Sequence, residues 1–208
     1  MQNHRFSDAL WIPSPHFDER PNSLISLIVI HAISLPPRLF NPLPVLAFFQ
    51  GTLNHETDAY FEALKAVRVS SHLVIGLDGA MYQPVAFDQR AWHAGESSWA
   101  GQSGCNDFSI GIELIGAEEG PFTDAQYGAL AMVCQRLCQT YDIPVDRIVG
   151  QAMISTAHDS FGAGFNKYLP SLKPTLLAAI GPPNGNPEIA SAAEHAIIES
   201  TSAWFSPS

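Results

Sequence analysis

A histidine, a glutamate and an Arg-Ala-Trp-His cluster are the residues of this sequence best suited to chemistry. His31 directly follows Leu27-Ile28-Val29-Ile30, a run of branched apolar residues that marks a strand buried on both faces. Side chains at strand ends point into the crevices where open α/β sheets place their sites. An imidazole there can hold a metal or move a proton, and it can also be an ordinary satisfied polar residue. Glu113 stands alone among the apolar residues of the segment SIGIELIG. A carboxylate on a half-buried strand is costly unless it is paired, bound to metal or used as a base. Arg90-Ala91-Trp92-His93-Ala94-Gly95 puts a cation, an indole and an imidazole into one loop. Aromatic faces beside polar groups suit sugar or peptide recognition, and the same segment could equally cap the core.

Several elements must position these residues. Leu27–Ile30 is the first strand, and Asn41 to Pro44 reads as a Pro-containing loop. Thr57 then caps a helix whose apolar positions are Tyr60, Phe61, Leu64 and Val67. His72–Ile75 and Met81–Val85 read as strands joined at Asp78-Gly79, a strong hairpin signal. From Phe108 to Ile115 the pattern alternates. Phe108, Ile110, Ile112 and Leu114 lie on one side, and Ser109, Gly111, Glu113 and Ile115 on the other. Thr123-Asp124-Ala125-Gln126 has the form of a capping box, and behind it Tyr127, Leu130, Ala131, Cys134, Leu137, Cys138 and Tyr141 keep helical spacing. Arg147 to Val149 is a short strand and Tyr168 to Ile180 a closing helix. These elements describe an α/β fold with a mixed central sheet flanked by helices, occupying residues 1–180. Residues 181–208 form an extension opened by Gly181-Pro182-Pro183, with a weak Ala-rich helix over 188–200 and a frayed end.

Composition narrows the function further. The chain has 208 residues, enough for one sizeable core, with 46% hydrophobic and 14% charged residues, as in globular proteins. Its formal net charge of −10 is opposite to the balance that neutralises phosphates, which argues against nucleic acid as partner. The first residues carry no apolar segment of a secretory signal, and no apolar run is long enough to span a membrane. Three cysteines make no disulfide framework. Cys134 and Cys138, four apart, fall on the apolar face of a helix rather than making half a metal site. A cytoplasmic monomer is the expectation.

Six segments in order carry a resemblance. WIPSPHFDERP, LIVIHAISLPP, RVSSHLVIGLDG, FDQRAWHAG, CNDFSIGIELIG and TDAQYGAL resemble the AmpD-type N-acetylmuramoyl-L-alanine amidases over about residues 9–170. The phage-lysozyme-type amidases and the peptidoglycan recognition proteins are broader relatives. The resemblance implies a zinc hydrolase that cuts the amide between the muramic lactyl group and L-Ala of the stem peptide. Its cytoplasmic branch acts on 1,6-anhydro-muropeptides recovered during cell-wall turnover. In such enzymes two His and one Asp (or Cys) hold zinc and leave one position open for water. A strand glutamate acts as base, and a Lys stabilises the oxyanion. By resemblance His31 is the first zinc ligand, Glu113 the base, Trp92 and His93 belong to the substrate-side loop, and Arg68 binds the peptide carboxylate.

The match breaks after the last strand. Gln151 occupies the position of the second His ligand, His158 that of the Lys, and Ser160 that of the Asp ligand. Asp159, eight residues after Gln151, is a substitute carboxylate at the interval the phage relatives use. Ala32 and Gly104 replace an Asn and an Arg that contact substrate. A neutral amide oxygen is a poor zinc ligand. A structural zinc site binds with ~10–16 kcal/mol in all, so losing one strong donor weakens it by several kcal/mol. Zinc is thus expected to be weak or lost. The resemblance admits an amidase with ligation rebuilt on His31 and Asp159, with His158 in a catalytic role, a non-catalytic binder of muropeptides, or a scaffold whose cleft is vestigial.

Overall fold

Ten strands and three α-helices are formed by the residues that the computed structural model describes, which are 1–117 and 121–154. In chain order they are β1 (Leu10–Trp11), β2 (Phe17–Glu19), β3 (Leu27–Ile33), α1 (Pro42–Phe49), α2 (Ala59–Ala63), β4 (Leu73–Ile75), β5 (Met81–Gln83), β6 (Gln89–Ala91), β7 (Ser98–Trp99), β8 (Gln102–Ser103), β9 (Ser109–Ile115), α3 (Asp124–Tyr141) and β10 (Ile148–Gly150). Six strands make the central sheet in the order β1-β5-β4-β9-β3-β10. Only the β4–β5 pair is antiparallel, so the sheet is mixed, as the alternation of strands and helices implied. The Tyr168–Ile180 helix, the extension over 181–208 and the boundary between them lie outside the described residues.

Strand alternation decides what each face of the sheet holds. Ile28, Ile30, Ile110, Ile112 and Leu114 pack with Leu130, Val133, Cys134 and Leu137 of α3. Each such side chain contributes roughly 1.5–3 kcal/mol on burial, which fixes α3 against this face. The opposite face carries Leu27 and Val29 in one cluster, Ile115 in another with Phe48, Phe49 and Phe61, and the polar His31 and Glu113. Cys134 and Cys138 are buried free thiols in the α3 core.

The capping box forms as the sequence indicates. Thr123 Oγ1 accepts the Gln126 N–H at 3.1 Å, and Gln126 Oε1 accepts the Thr123 N–H at 3.1 Å. The turn at Asp78-Gly79 joins β4 to β5, with Gly79 at φ +81°, where an added Cβ would lie 2.9 Å from the Ala125 carbonyl oxygen.

Four sequence expectations need correction. Asn41 to Pro44 is no loop: Pro42 and Pro44 sit in the first turn of α1, where missing N–H groups cost nothing, and Asn41 Oδ1 accepts the Leu43 N–H. In α2 the cap is Asp58, whose Oδ1 accepts the Tyr60 N–H at 2.8 Å, while Thr57 Oγ1 donates to the Asn54 carbonyl. That helix ends at Ala63 and leaves Val67 exposed. Phe108 precedes β9 with ψ 8°, too far from extended to continue the alternation, and joins the Leu27 cluster instead. Finally, β3 runs to Ile33, so His31 lies within the strand rather than after it. Among the described residues, no helix is long and apolar enough to cross a membrane.

Candidate active site

His31 and Glu113 are register partners across the β3–β9 pair, on the sheet face opposite α3. Both are buried, His31 at 2% and Glu113 at 7% exposure. Parallel pairing continues to β10, which ends at Gly150, so Gln151 begins beside His31. Gln151 Oε1 lies 2.9 Å from His31 Nδ1. His31, Glu113, Gln151, Ala32, Ser70 and His93 line one cleft of about 250 Å³. Burial without an acidic partner pushes His31 down to about 4, opposed by its contact with Gln151. Burial alone pushes Glu113 up to about 8. Its Oε2 has no hydrogen-bond partner among the described residues, a costly state for a carboxylate that serves only packing.

His93 stands directly behind His31. Its Nδ1 is 3.0 Å from His31 Nε2, and the two rings meet edge to face at 5.1 Å. The ring packs against Gly111 of β9, where an added Cβ would fall 2.3 Å from His93 Cγ. Asn106 Oδ1 accepts the backbone N–H groups of His93 and Ala94 and so pins the loop. Beneath it, buried His72 accepts the Gly111 N–H on Nδ1 and donates from Nε2 to the Gln89 carbonyl. Burial depresses the basicity of both rings, helped by the neighbouring imidazoles and by Arg20.

Trp92 is held from the side. Its Nε1–H donates to Asp18 Oδ1 at 3.2 Å, and its ring stacks on His16 with centroids 6.1 Å apart. Arg90 grips both oxygens of Asp18 at 2.6 Å and reaches Asp107 as well, which holds the Asp18 carboxyl below its usual range. Arg20 is enclosed mainly by carbonyls instead: its guanidinium donates to those of Phe87, Asn106, Asp107 and Ser109, and its Nη2 lies 3.0 Å from His72 Nε2. Arg68 is not in the His31 cleft. It lines a separate hollow of about 170 Å³ with His16, His55 and Phe48, while its Nη1 donates to the Lys65 and Val67 carbonyls.

The donor set bears on zinc. Among the described residues no three His, Cys, Asp or Glu side chains are grouped to hold a metal. With His93 engaged by His31, the described cleft offers the His31 imidazole, the Gln151 amide and the Glu113 carboxyl, and these are not grouped to hold zinc tightly. His158, Asp159 and Ser160 lie outside the described residues. Ala32 faces the cleft as a small apolar wall, and Gly104 opens a 3₁₀ turn at φ +75°.

Sequence reading missed Asp18, Asn106 and Ser109, because each acts through a contact made by folding. Gly111 carried a usable signal, since a glycine inside an apolar strand marks close approach by another group.

Sheet, helices and cleft together define an amidase domain. A profile of the N-acetylmuramoyl-L-alanine amidase family matches residues 20–163, and the chain belongs to that family. It is 50% identical to the 1,6-anhydro-N-acetylmuramyl-L-alanine amidase AmpD of Haemophilus influenzae over 151 residues, covering 72% of this chain and 82% of that protein. The AmpD of Escherichia coli is 43% identical over 145 residues, covering 69% and 79%. The crystal structure of a selenomethionine derivative of AmpD superposes with a TM-score of 0.78 at 38% identity, over 87% of this chain and 99% of that one. The solution structure of Citrobacter freundii AmpD gives 0.57 at 40% identity, over 81% and 92%.

Proposed function

We propose that this protein hydrolyses 1,6-anhydro-muropeptides at the amide between the lactyl group and L-Ala, in the recycling of cell-wall fragments. The observation that carries this reading is the buried Glu113 carboxyl, unpartnered at Oε2, facing the same cleft as its register partner His31. High identity to 1,6-anhydro-N-acetylmuramyl-L-alanine amidases supports hydrolysis over mere binding.

In this proposal Glu113 takes a proton from the attacking water and returns it to the amide nitrogen as the C–N bond breaks. Raised to about 8 in the metal-free protein, this carboxyl is mostly protonated at neutral pH, so its base form grows as pH rises toward 8. His93 lines the cleft, Trp92 extends the substrate side through its contact with His16, and Arg68 receives a peptide carboxylate at the neighbouring hollow. The family generally depends on zinc, which when bound acts as a Lewis acid on the scissile carbonyl. We assign its ligands to His31 and Asp159, its affinity to the weak range, and a catalytic role to His158. A cytoplasmic monomer completes the proposal.

The test is mass spectrometry of an anhydro-N-acetylmuramyl peptide incubated with the full chain and added zinc, with calorimetry in parallel. Release of the free peptide, lost in Glu113→Gln, is the expected result. Binding without release would make the protein a muropeptide binder, and neither would remove the reading.

A further inference from the structure

The cleft ends in a row of polar atoms that runs inward to a backbone carbonyl. Gln151 meets His31 Nδ1, His31 Nε2 meets His93 Nδ1 at 3.0 Å, and His93 Nε2 meets Ser109 Oγ at 3.2 Å. Ser109 Oγ is in turn 2.5 Å from the Cys105 carbonyl oxygen. Each contact needs one hydrogen, and each neutral imidazole has only one to give. Charging either ring is costly, since His31 is buried, His93 is half-buried and the two rings touch.

Two orders of hydrogens are open to such a row. In one, Gln151 Oε1 accepts from His31 Nδ1, His93 donates from Nδ1, and the Ser109 hydroxyl turns to His93 Nε2. That order leaves two oxygens, Ser109 Oγ and Cys105 O, in 2.5 Å contact with no hydrogen between them. A carbonyl oxygen cannot donate, so this end is repulsive. In the other order the Ser109 hydroxyl donates to Cys105, His93 donates from Nε2 to Ser109, and His31 donates from Nε2 to His93. Every inner contact is then satisfied, and His31 Nδ1 keeps a bare lone pair. Gln151 adapts by a half-turn of its amide, which presents NH₂ in place of oxygen at nearly the same position.

We infer that Ser109, anchored on the Cys105 carbonyl, sets the proton order of His93 and His31 so that His31 offers a bare Nδ1 to the cleft. Ser109 and His93 are positioning residues that act through His31. The inference rests on the amidase reading for its purpose, because a metal ligand must present a lone pair and is commonly fixed by the hydrogen bond on its other nitrogen. It also gives Gly111 a purpose, since any side chain there would push His93 out of the row.

The experiment is two-bond ¹⁵N–¹H correlation spectroscopy of the imidazoles in the metal-free full chain, which needs no catalysis and so fails separately from the amidase reading. The expected spectrum has His31 and His93 each protonated on Nε2 and bare on Nδ1. Gln151→Leu should keep that pattern. Ser109→Ala should raise the Nδ1–H form of His31 about tenfold, the scale of one buried hydrogen bond. If the alanine variant does not fold, Ser109→Cys, close in size with a poor acceptor, takes its place. A wild-type His31 protonated on Nδ1, a pattern inverted by Gln151→Leu, or a pattern indifferent to the Ser109 change would each overturn the inference.

Discussion

His31 and Glu113 occupy paired positions on neighbouring parallel strands, so the backbone itself sets the distance between imidazole and carboxyl. Neither depends on a loop for its placement. Gln151, just past the end of β10, stands at the rim, where the resemblance implies a histidine.

Restoring imidazole at that position should strengthen metal binding. In Gln151→His an imidazole nitrogen replaces the side-chain amide that already meets His31 Nδ1 at 2.9 Å. Hydrolysis of anhydromuropeptide should rise at least tenfold, roughly 1.4 kcal/mol in the barrier. Glu113→Gln in that background should erase the gain. Tighter zinc without faster cleavage would move the limiting loss to Ala32, Gly104 or His158.

Zinc retention in the native sequence should depend on Asp159. Elemental analysis of wild type, Asp159→Ala and Ser160→Ala should find metal lost only in the first variant, because carboxylate is a strong zinc ligand and hydroxyl a weak one. Equal zinc in all three chains, or loss with serine alone, would dismiss the rebuilt site.

Glu113 should give the metal-free protein a distinctive pH dependence. Its folded-state pKa, about 8, lies above the ordinary 4.5. The folded chain therefore holds this proton over a window where the unfolded chain releases it. Stability is fully present below pH 4.5 and declines as pH rises through 8, with a slope approaching 1.4 kcal/mol per pH unit, roughly one proton's worth. Urea unfolding from pH 5 to 8 should show that slope flattened in Glu113→Gln. Parallel curves for the two proteins would contradict it.

Gly111→Ala should be among the most damaging small substitutions on β9. The new methyl would collide with His93 at 2.3 Å, at a cost of about 1–3 kcal/mol for overpacking. Adding His93→Ala should recover part of that loss, whereas a strictly additive double variant would show that the ring is not the obstacle.

Much of the fold was legible because periodicity reports burial. The lone carboxylate in SIGIELIG and the branched run before His31 pointed at the two residues that the sheet pairs. The capping box at Thr123 and the turn at Gly79 were local chemistry and were readable as such. Two prolines hid the start of α1, since the same residues begin helices and fill loops. Asp18, Asn106 and Ser109 gave no signal, because they hold Trp92 and His93 across loops well separated in sequence. Resemblance joined Arg68 to the site, while the fold gives it a hollow of its own.

The two arginines that brace the Trp92 loop differ in what binds them. Arg90 holds Asp18, whose charge acid can remove. Arg20 holds four backbone carbonyls, which have no proton to gain in that range, beside a His72 ring whose basicity burial depresses. Acidification therefore loosens the indole's outer brace while the inner clasp on the 105–109 turn stays shut. The indole is released first, and the seat of His93 outlasts it.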